Sequence, residues 1–266
     1  MDLIDAAEWL KAELRVPLES FDLTMGEFRV LELLPFLGGG AVFFYLGPRI
    51  SVLSDVNAEL VETYQAVRDR VADVSAALRG LPVSKRDFYR IRRSSPAGAV
   101  ARAARFLYLN RTAFSGIYRV NQRGEFNVPY GGGQRTPRIL LNTPRLQNAS
   151  ATLRSAQLRR SDFEPMLQSA RPGDVVYCDP TYTVMHDNNG FVRYNEENFS
   201  WADQERLAKS GLAAARRGVR VLVTNAHHAE VRKLYRGAAR YTLVRSSTLC
   251  ADPSRRREVK EYLMLL

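Results

Sequence analysis

Apolar residues recur along this chain in two rhythms. Short continuous runs end on an acid, an asparagine or a glycine turn, and longer stretches repeat apolar residues three and four positions apart. The continuous runs predict buried strands: "RVLELL" (29–34), "ISVLSD" (50–55), "DVVYCD" (174–179) and "VRVLVTN" (219–225). The helical spacing appears in "NAELVETYQAVRDRVADVSAAL" (57–78), with Asn57 as N-cap. It returns in "SWADQERLAKSGLAAARRG" (200–218), with Ser200 as cap and Gly218 as stop, and in "HAEVRKLYRGA". "RYTLVRSST" and "REVKEYLML" read as an antiparallel pair at the end of the sheet. Strand and helix alternate, which predicts an α/β fold.

The middle of the chain breaks the alternation. "SPAGAVARAARFLYLNRTAF" (95–114) is alanine-rich and predicts a helix, with Ser95 as cap and Pro96 in the first turn. "GIYRVNQRGEFNVPYGGG" (116–133) alternates around "NQRGE", which predicts a β-hairpin, and "GGGQRTP" follows as a loop. Charge is concentrated in the same place. The net charge is +11, and residues 66–144 hold fifteen Lys/Arg against four Asp/Glu, so the rest of the chain is balanced. A basic insertion in a neutral protein suits an element that faces phosphates, although an arginine-rich solvated surface gives the same count. The expected organisation is an atypical N-terminal segment (1–28), a core from 29–65 and 145–266, and an inserted segment over 66–144.

Candidate chemistry gathers where strands end. Gly38, Gly39 and Gly40 follow the first strand, where backbone can approach a ligand closely. Asp55 ends the second, where a carboxylate can accept hydrogen bonds from ribose hydroxyls. A tight turn alone would also explain three glycines. Asp179, Pro180 and Tyr182 follow the third strand. The amino nitrogen of an aromatic base is a poor nucleophile because its lone pair is delocalised into the ring. A carboxylate and a main-chain carbonyl that accept both its N–H bonds favour a pyramidal nitrogen. Asp179 and the Pro180 carbonyl are the candidate acceptors, and Tyr182 is the ring that can stack on the base. A site of this kind works on a base taken out of the helix. A strand-to-loop junction capped by Asp179 is the plainer alternative.

These segments resemble the Dam-like, D12-class (α-group) adenine-N6 DNA methyltransferases. The resemblance rests on "PFLGGGAVFF", "LSDVNAELVETY", "FLYLNRTAFSGIYRVNQRGEFNVPYG", "SDFEPML", "GDVVYCDPTY", "NFSWADQERLAKSGL", "VLVTNAH" and "RREVKEYLML", in that order, from about residue 30 to the end. It implies a Rossmann-like methyltransferase core that uses S-adenosylmethionine, with an inserted helical and β-hairpin domain that recognises double-stranded DNA. By that resemblance Pro35, Phe36 and Gly38–Gly40 would line the methionine end of the donor and Asp55 would hold its ribose. Asp162 and Phe163 would contact its adenine. Asp179, Pro180 and Tyr182 would hold the target adenine, and Arg111, Arg119, Asn121, Arg123 and Asn127 would face DNA. Several family members with this hairpin read GATC, which makes that sequence the first to test.

The chain departs from the family pattern in three places. Thr181 stands where the catalytic tetrapeptide usually has a second proline. Leu34 stands where an acid usually precedes Pro-Phe, with Glu32 two positions earlier. The usual N-terminal Gly-Gly-Lys turn has no counterpart in residues 1–28. A DNA-binding relative that has lost transfer, and a methyltransferase acting on RNA or another base amine, are therefore the alternative readings.

Composition removes other classes. Hydrophobic residues make up 45% of the 266, which supports a substantial core and excludes a disordered chain. No run approaches the roughly 20 apolar residues of a membrane helix, and the acidic amphipathic start is unlike a signal peptide. Cys178 and Cys250 form neither a metal spacing nor a disulfide framework, and His227 and His228 read as surface residues at a helix start. The expectation is a cytoplasmic, metal-free protein with no membrane segment. Its oligomeric state is left open, with a monomer as the simplest case. His186 and "DNNG" (187–190) lie in a loop expected to close over the flipped base.

Overall fold

The structure is a computed structural model, and it describes residues 32–121, 123–132, 143–182, 199–246 and 258–266. The atypical N-terminal segment, strand residues 29–31 and the loop around His186 lie outside the described residues. So do Gln122 and the loop "GQRTP" from 133 onward. The described chain falls into two compact units. One contains residues 32–37, 50–56 and 159–266, and the other contains 38–49 and 57–158.

The first unit is built on a seven-stranded sheet of order β3-β2-β1-β4-β5-β7-β6. The strands are β1 (Glu32–Leu34), β2 (Ser51–Asp55), β3 (Ala156–Arg160), β4 (Val175–Cys178), β5 (Arg220–Ala226), β6 (Ala239–Ser246) and β7 (Glu258–Leu265). β1 runs parallel to β2 and to β4, and β4 parallel to β5. β7 lies antiparallel between β5 and β6, as the closing hairpin-like pattern predicts. Parallel strands covered on both faces bury successive residues whichever way each points, so they read as near-continuous apolar runs. Accordingly Ser51–Ser54 of β2 and Val221–Ala226 of β5 are all buried. Their core holds Leu33, Val52, Val176, Cys178, Val221 and Val223. Against it pack Phe163 and Leu167 of α6 (Phe163–Ser169), Leu207 of α7 (Trp201–Arg216) and Val231 of α8 (Ala229–Leu234). α7 starts on a reciprocal Ser200–Asp203 capping box and stops before Gly218, whose φ of 89° ends it as the sequence predicts. His228 caps α8, its Nδ1 accepting from the Glu230 N–H.

The second unit is helical. α2 (Ala58–Arg79) begins where predicted, with Asn57 Oδ1 accepting from Leu60 N, and leaves helical geometry at Arg70. Three helices here go beyond the sequence reading: α1 (Ala41–Leu46), α3 (Lys85–Arg93) and α5 (Thr143–Leu153). The helix expected from Ser95 instead begins later, as α4 (Ala99–Thr112). Gly98, at φ 85°, stands outside helical geometry and sets that start, so neither Ser95 nor Pro96 belongs to the helix. The expected hairpin is present as two antiparallel bridges, Ala113↔Tyr130 and Val120↔Phe126, without continuous strands. Its tip is a turn in which Gly124 N donates to Asn121 O at 2.8 Å.

Much of the basic excess of this unit is structural. Arg105 donates to the carbonyls of Ile91 and Arg92 and to Glu59, with only 15% of its side chain exposed. Arg102 pairs with Glu62 and Arg92 donates to the Val128 carbonyl. No helix among the described residues is long and apolar enough to cross a membrane. Replacing Arg105 by Leu leaves the Ile91 and Arg92 carbonyls without this donor and takes the guanidinium from Glu59, which keeps the Tyr118 hydroxyl. It should destabilise the protein by about 2–4 kcal/mol, seen as a lowered thermal midpoint. Arg86→Ala, on an exposed position of α3, should leave the midpoint within error.

Candidate functional site

Parallel pairing decides which residues leave the sheet together. Leu34 pairs with Leu53, Leu33 with Val176, and Cys178 with Val223. Continued past the last pairs, these registers bring Asp55, Phe36, Asp179 and Thr224 into one row at the carboxyl ends of β2, β1, β4 and β5. The chain moves outward from β1 to β2 on one side and from β4 to β5 on the other, so the row lies at the topological switch point. Open α/β sheets bind their ligands there.

Asp179 is exposed, while Cys178 before it and Pro180 after it are buried. Thr224 Oγ1 donates to Asp179 Oδ1 at 2.7 Å and lies 3.3 Å from the Cys178 carbonyl. The Tyr177 hydroxyl is 3.3 Å from the same Thr224 oxygen. Burial, reinforced by the Asp179 charge, holds the Tyr177 hydroxyl well above its ordinary pKa, so it stays protonated. The same two causes push the Cys178 thiol up, and it acts as a packing residue. A second chain of polar contacts reaches the tetrapeptide from α7. Gln204, 1% exposed, donates through Nε2 to the Thr181 carbonyl at 3.2 Å and accepts from Asn225 Nδ2 at 2.8 Å. Tyr182 is half-buried.

An aromatic cluster lies beside the row. Phe36 stacks on Phe163 with centroids 5.5 Å apart and meets Phe199 edge-on at 5.5 Å. Phe163 is 2% exposed, with the Arg206 guanidinium 4.3 Å from its centroid. Asp162 caps α6 by accepting from Glu164 N, and its two oxygens accept from Arg206. Arg206 also reaches Glu164 and Asp203. The Asp55 carbonyl accepts from Ser161 N at 3.2 Å, which joins β2 to the turn before Asp162. Pro35 is buried, and Leu37 N donates to the Ser54 carbonyl.

The glycine turn belongs to the helical unit. Gly38 (φ 47°) and Gly40 (φ 69°) both take left-handed conformations. The Gly38 carbonyl accepts from the Tyr64 hydroxyl at 3.0 Å. A Cβ on Gly40 would lie 2.9 Å from both a Phe44 ring carbon and the Tyr64 oxygen, whereas one on Gly38 would meet nothing within 4 Å. Gly40 is therefore required by the packing of the protein itself, whereas Gly38 is exposed and leaves open backbone that a ligand can approach.

In the hairpin, Arg119 Nε donates to Asn127 Oδ1 at 2.7 Å, pairing two of the expected DNA residues across the strands. Asn121 is engaged in the turn. Its Oδ1 accepts from Arg123 N and Glu125 N, and its Nδ2 donates to Glu125. Arg123 is exposed at the tip, and Arg111 lies in the last turn of α4. Tyr118 anchors the hairpin base, its ring against Phe106 and Phe126 and its hydroxyl on Glu59.

Thr224, Gln204, Arg206 and Tyr64 have no place in the sequence reading. Thr224 carried a signal, a polar residue ending the apolar run "VRVLVTN". Gln204 and Arg206 sit on an ordinary amphipathic helix, and no local pattern marks them.

Comparison with known proteins gives one result throughout. The family model for D12 class N6 adenine-specific DNA methyltransferase matches residues 25–249. The chain is 32% identical to the type II methyltransferase M1.LlaDCHI of Lactococcus lactis subsp. cremoris, covering 86% of this chain and 84% of that one. It is 34% identical to the type II methyltransferase M.MjaIII of Methanocaldococcus jannaschii over 76% of each. It is 32% identical to the DNA adenine methylase of Serratia marcescens over 87% of each.

The two glycines respond differently to a methyl group. Gly38→Ala should cost only the backbone term, about 1 kcal/mol. Gly40→Ala adds the collision with Phe44 and Tyr64 and should cost about 2–4 kcal/mol in all. Chemical denaturation of the two variants reads the difference directly.

Proposed function

Because the chain belongs to the D12 class of N6 adenine-specific DNA methyltransferases, we propose that it transfers a methyl group from S-adenosylmethionine to an adenine flipped out of double-stranded DNA. The observation that carries this reading is the exposed Asp179 carboxylate at the carboxyl end of β4, held by Thr224 in the row at the switch point. Asp179 accepts one N–H of the adenine amino group, the Pro180 carbonyl accepts the other, and Tyr182 stacks on the base. These acceptors turn the nitrogen lone pair out of the ring plane; as the N–CH3 bond forms, the S–CH3 bond breaks with its pair left on sulfur, giving S-adenosylhomocysteine, and one amino proton is released by way of Asp179 to solvent. Bound S-adenosylmethionine supplies the electrophilic methyl group on a positively charged sulfur. Positioning contributes the larger part of the rate.

Pro35, Phe36, Gly38–Gly40, Asp55, Asp162 and Phe163 are proposed as the donor site. Open backbone at the exposed Gly38 supports the first part. At Asp162 and Phe163 the support is of another kind. The carboxylate is paired with Arg206 and the ring is buried under Phe36, so these two shape the wall of the site more than they offer free groups. Residues 66–144 are proposed as the DNA-recognition insertion within a core of 29–65 and 145–266. Arg111, Arg119, Arg123 and Asn127 face DNA, and Asn121 sets the turn that presents them. Action on DNA makes the cytoplasm the expected compartment, and a monomer is the simplest form consistent with one site per chain.

Tritiated methyl transfer tests the reading on duplexes carrying GATC and on matched duplexes with adenine in other contexts. The intact chain should label adenine. Asp179→Ala should lose at least a thousandfold in kcat while still binding duplex DNA. No transfer to any adenine-containing duplex, with donor binding absent by calorimetry, would favour a relative that only binds DNA. Preference for an RNA acceptor would move the substrate class. Arg123→Ala should weaken DNA binding and flatten its dependence on log salt concentration by about one unit.

A further inference from the structure

We propose that the tip of β5 is a clamp for the catalytic tetrapeptide, with Thr224 acting as a positioning residue on the Asp179 carboxylate and Asn225, through Gln204, on the Thr181 carbonyl. The proposal rests on Asp179 being the acceptor for the adenine amino group.

The register puts Thr224 beside Asp179, one step past the Cys178–Val223 pair. A threonine hydroxyl has one proton. At 2.7 Å the contact to Asp179 Oδ1 is much the shorter of its two donor contacts, the other being the Cys178 carbonyl at 3.3 Å. The protonated Tyr177 hydroxyl, 3.3 Å away, can donate to Thr224 and so turn that proton toward the carboxylate. A carboxylate is planar, so fixing one oxygen and the Cα sets where the other oxygen lies. The direction in which Asp179 accepts is thereby decided by a residue that never touches the base.

The second hold acts on the main chain. Thr181 lacks the ring that would restrict its φ. Its carbonyl is instead held by Gln204, which is held in turn by Asn225, 0% exposed. Asn225 is itself fixed, since its Oδ1 accepts from the Ala226 N–H. The restraint that a second proline would supply from inside the tetrapeptide is here supplied from outside it. It orients the Pro180–Thr181 segment and with it the Pro180 carbonyl. Both holds come from consecutive residues of one buried strand.

The test uses the full chain, methyl transfer to duplex DNA, and binding of the donor and of DNA measured separately. Thr224→Val keeps the shape and removes the hydroxyl. It should lower kcat 10- to 100-fold while the KM for DNA and the Kd for S-adenosylmethionine stay within threefold. Thr224→Ser should restore most of the loss. Gln204→Leu should lower kcat several-fold, and adding Thr181→Pro to it should recover a measurable part. Asp179→Ala separates the layers of the argument. If it retains transfer, the reading of the site itself is wrong. If it is dead while Thr224→Val stays within twofold of the parent, the clamp is wrong. Equal impairment of Thr224→Ser and Thr224→Val would also overturn it, because that pattern reports packing. Failure of Thr181→Pro to recover any activity in Gln204→Leu would remove the second hold.

Discussion

The arrangement depends on hydrogen-bond register in a parallel sheet. A parallel ladder cannot slip by one residue without turning every side chain to the opposite face. Here both faces are buried and the pairing of β1 with β2 and β4, and of β4 with β5, is fixed by the core it carries. Once those pairs are set, Asp55, Phe36, Asp179 and Thr224 have no freedom to lie anywhere but in one row. These four residues are spread over 189 positions of sequence, from Phe36 to Thr224, yet no long-range recognition among them is required to gather them. The apolar positions do that, and the residues at or just past the carboxyl end of each strand follow.

The same logic explains what could be read in the sequence. Strands β1, β2, β4 and β5 show as apolar runs because both faces are covered, and the polar residues ending β2 and β4 stand out against them. Capped helices such as α2 and α7 are equally legible, since Asn57, Ser200 and Gly218 act locally. What escapes is determined by tertiary context. β3 buries only Ala156 and Leu158 of its five residues and exposes Gln157, Arg159 and Arg160. α3 is a basic helix that looks like a solvated charge run, though Ser84 and Asp87 cap it. The start of α4 moved to Gly98 because backbone geometry outweighed a plausible Ser-Pro start. Gln204 was invisible because its role lies in what the fold brings to its far end.

Charge shows the limit of counting. Residues 66–144 carry the whole net charge, which suggests a continuous phosphate-facing surface. Several of their arginines are engaged within the protein instead: Arg105 on backbone carbonyls and Glu59, Arg92 on the Val128 carbonyl, Arg102 on Glu62. Arginine serves both purposes because its planar fork satisfies several acceptors at once and remains charged. Residues such as Arg123, exposed at a turn shaped by Asn121, are a smaller and more specific set than the raw excess.

An acid that must meet a base has to be exposed, and an exposed side chain is ordinarily free to rotate. Asp179 resolves this conflict by position. Its neighbours in sequence are buried, and its neighbour across the ladder is a threonine whose other contacts are internal. The charged group reaches outward from a rigid base, so in the proposed role little rotational entropy remains to be lost on binding an amino group. Thr181 follows the same principle by another route. A residue with two free dihedrals stands next to Pro180, and a buried amide on α7 takes up the restraint. A sequence that lacks one rigid residue in a catalytic loop need not have a loose loop, provided the sheet behind it supplies a polar side chain at the matching register.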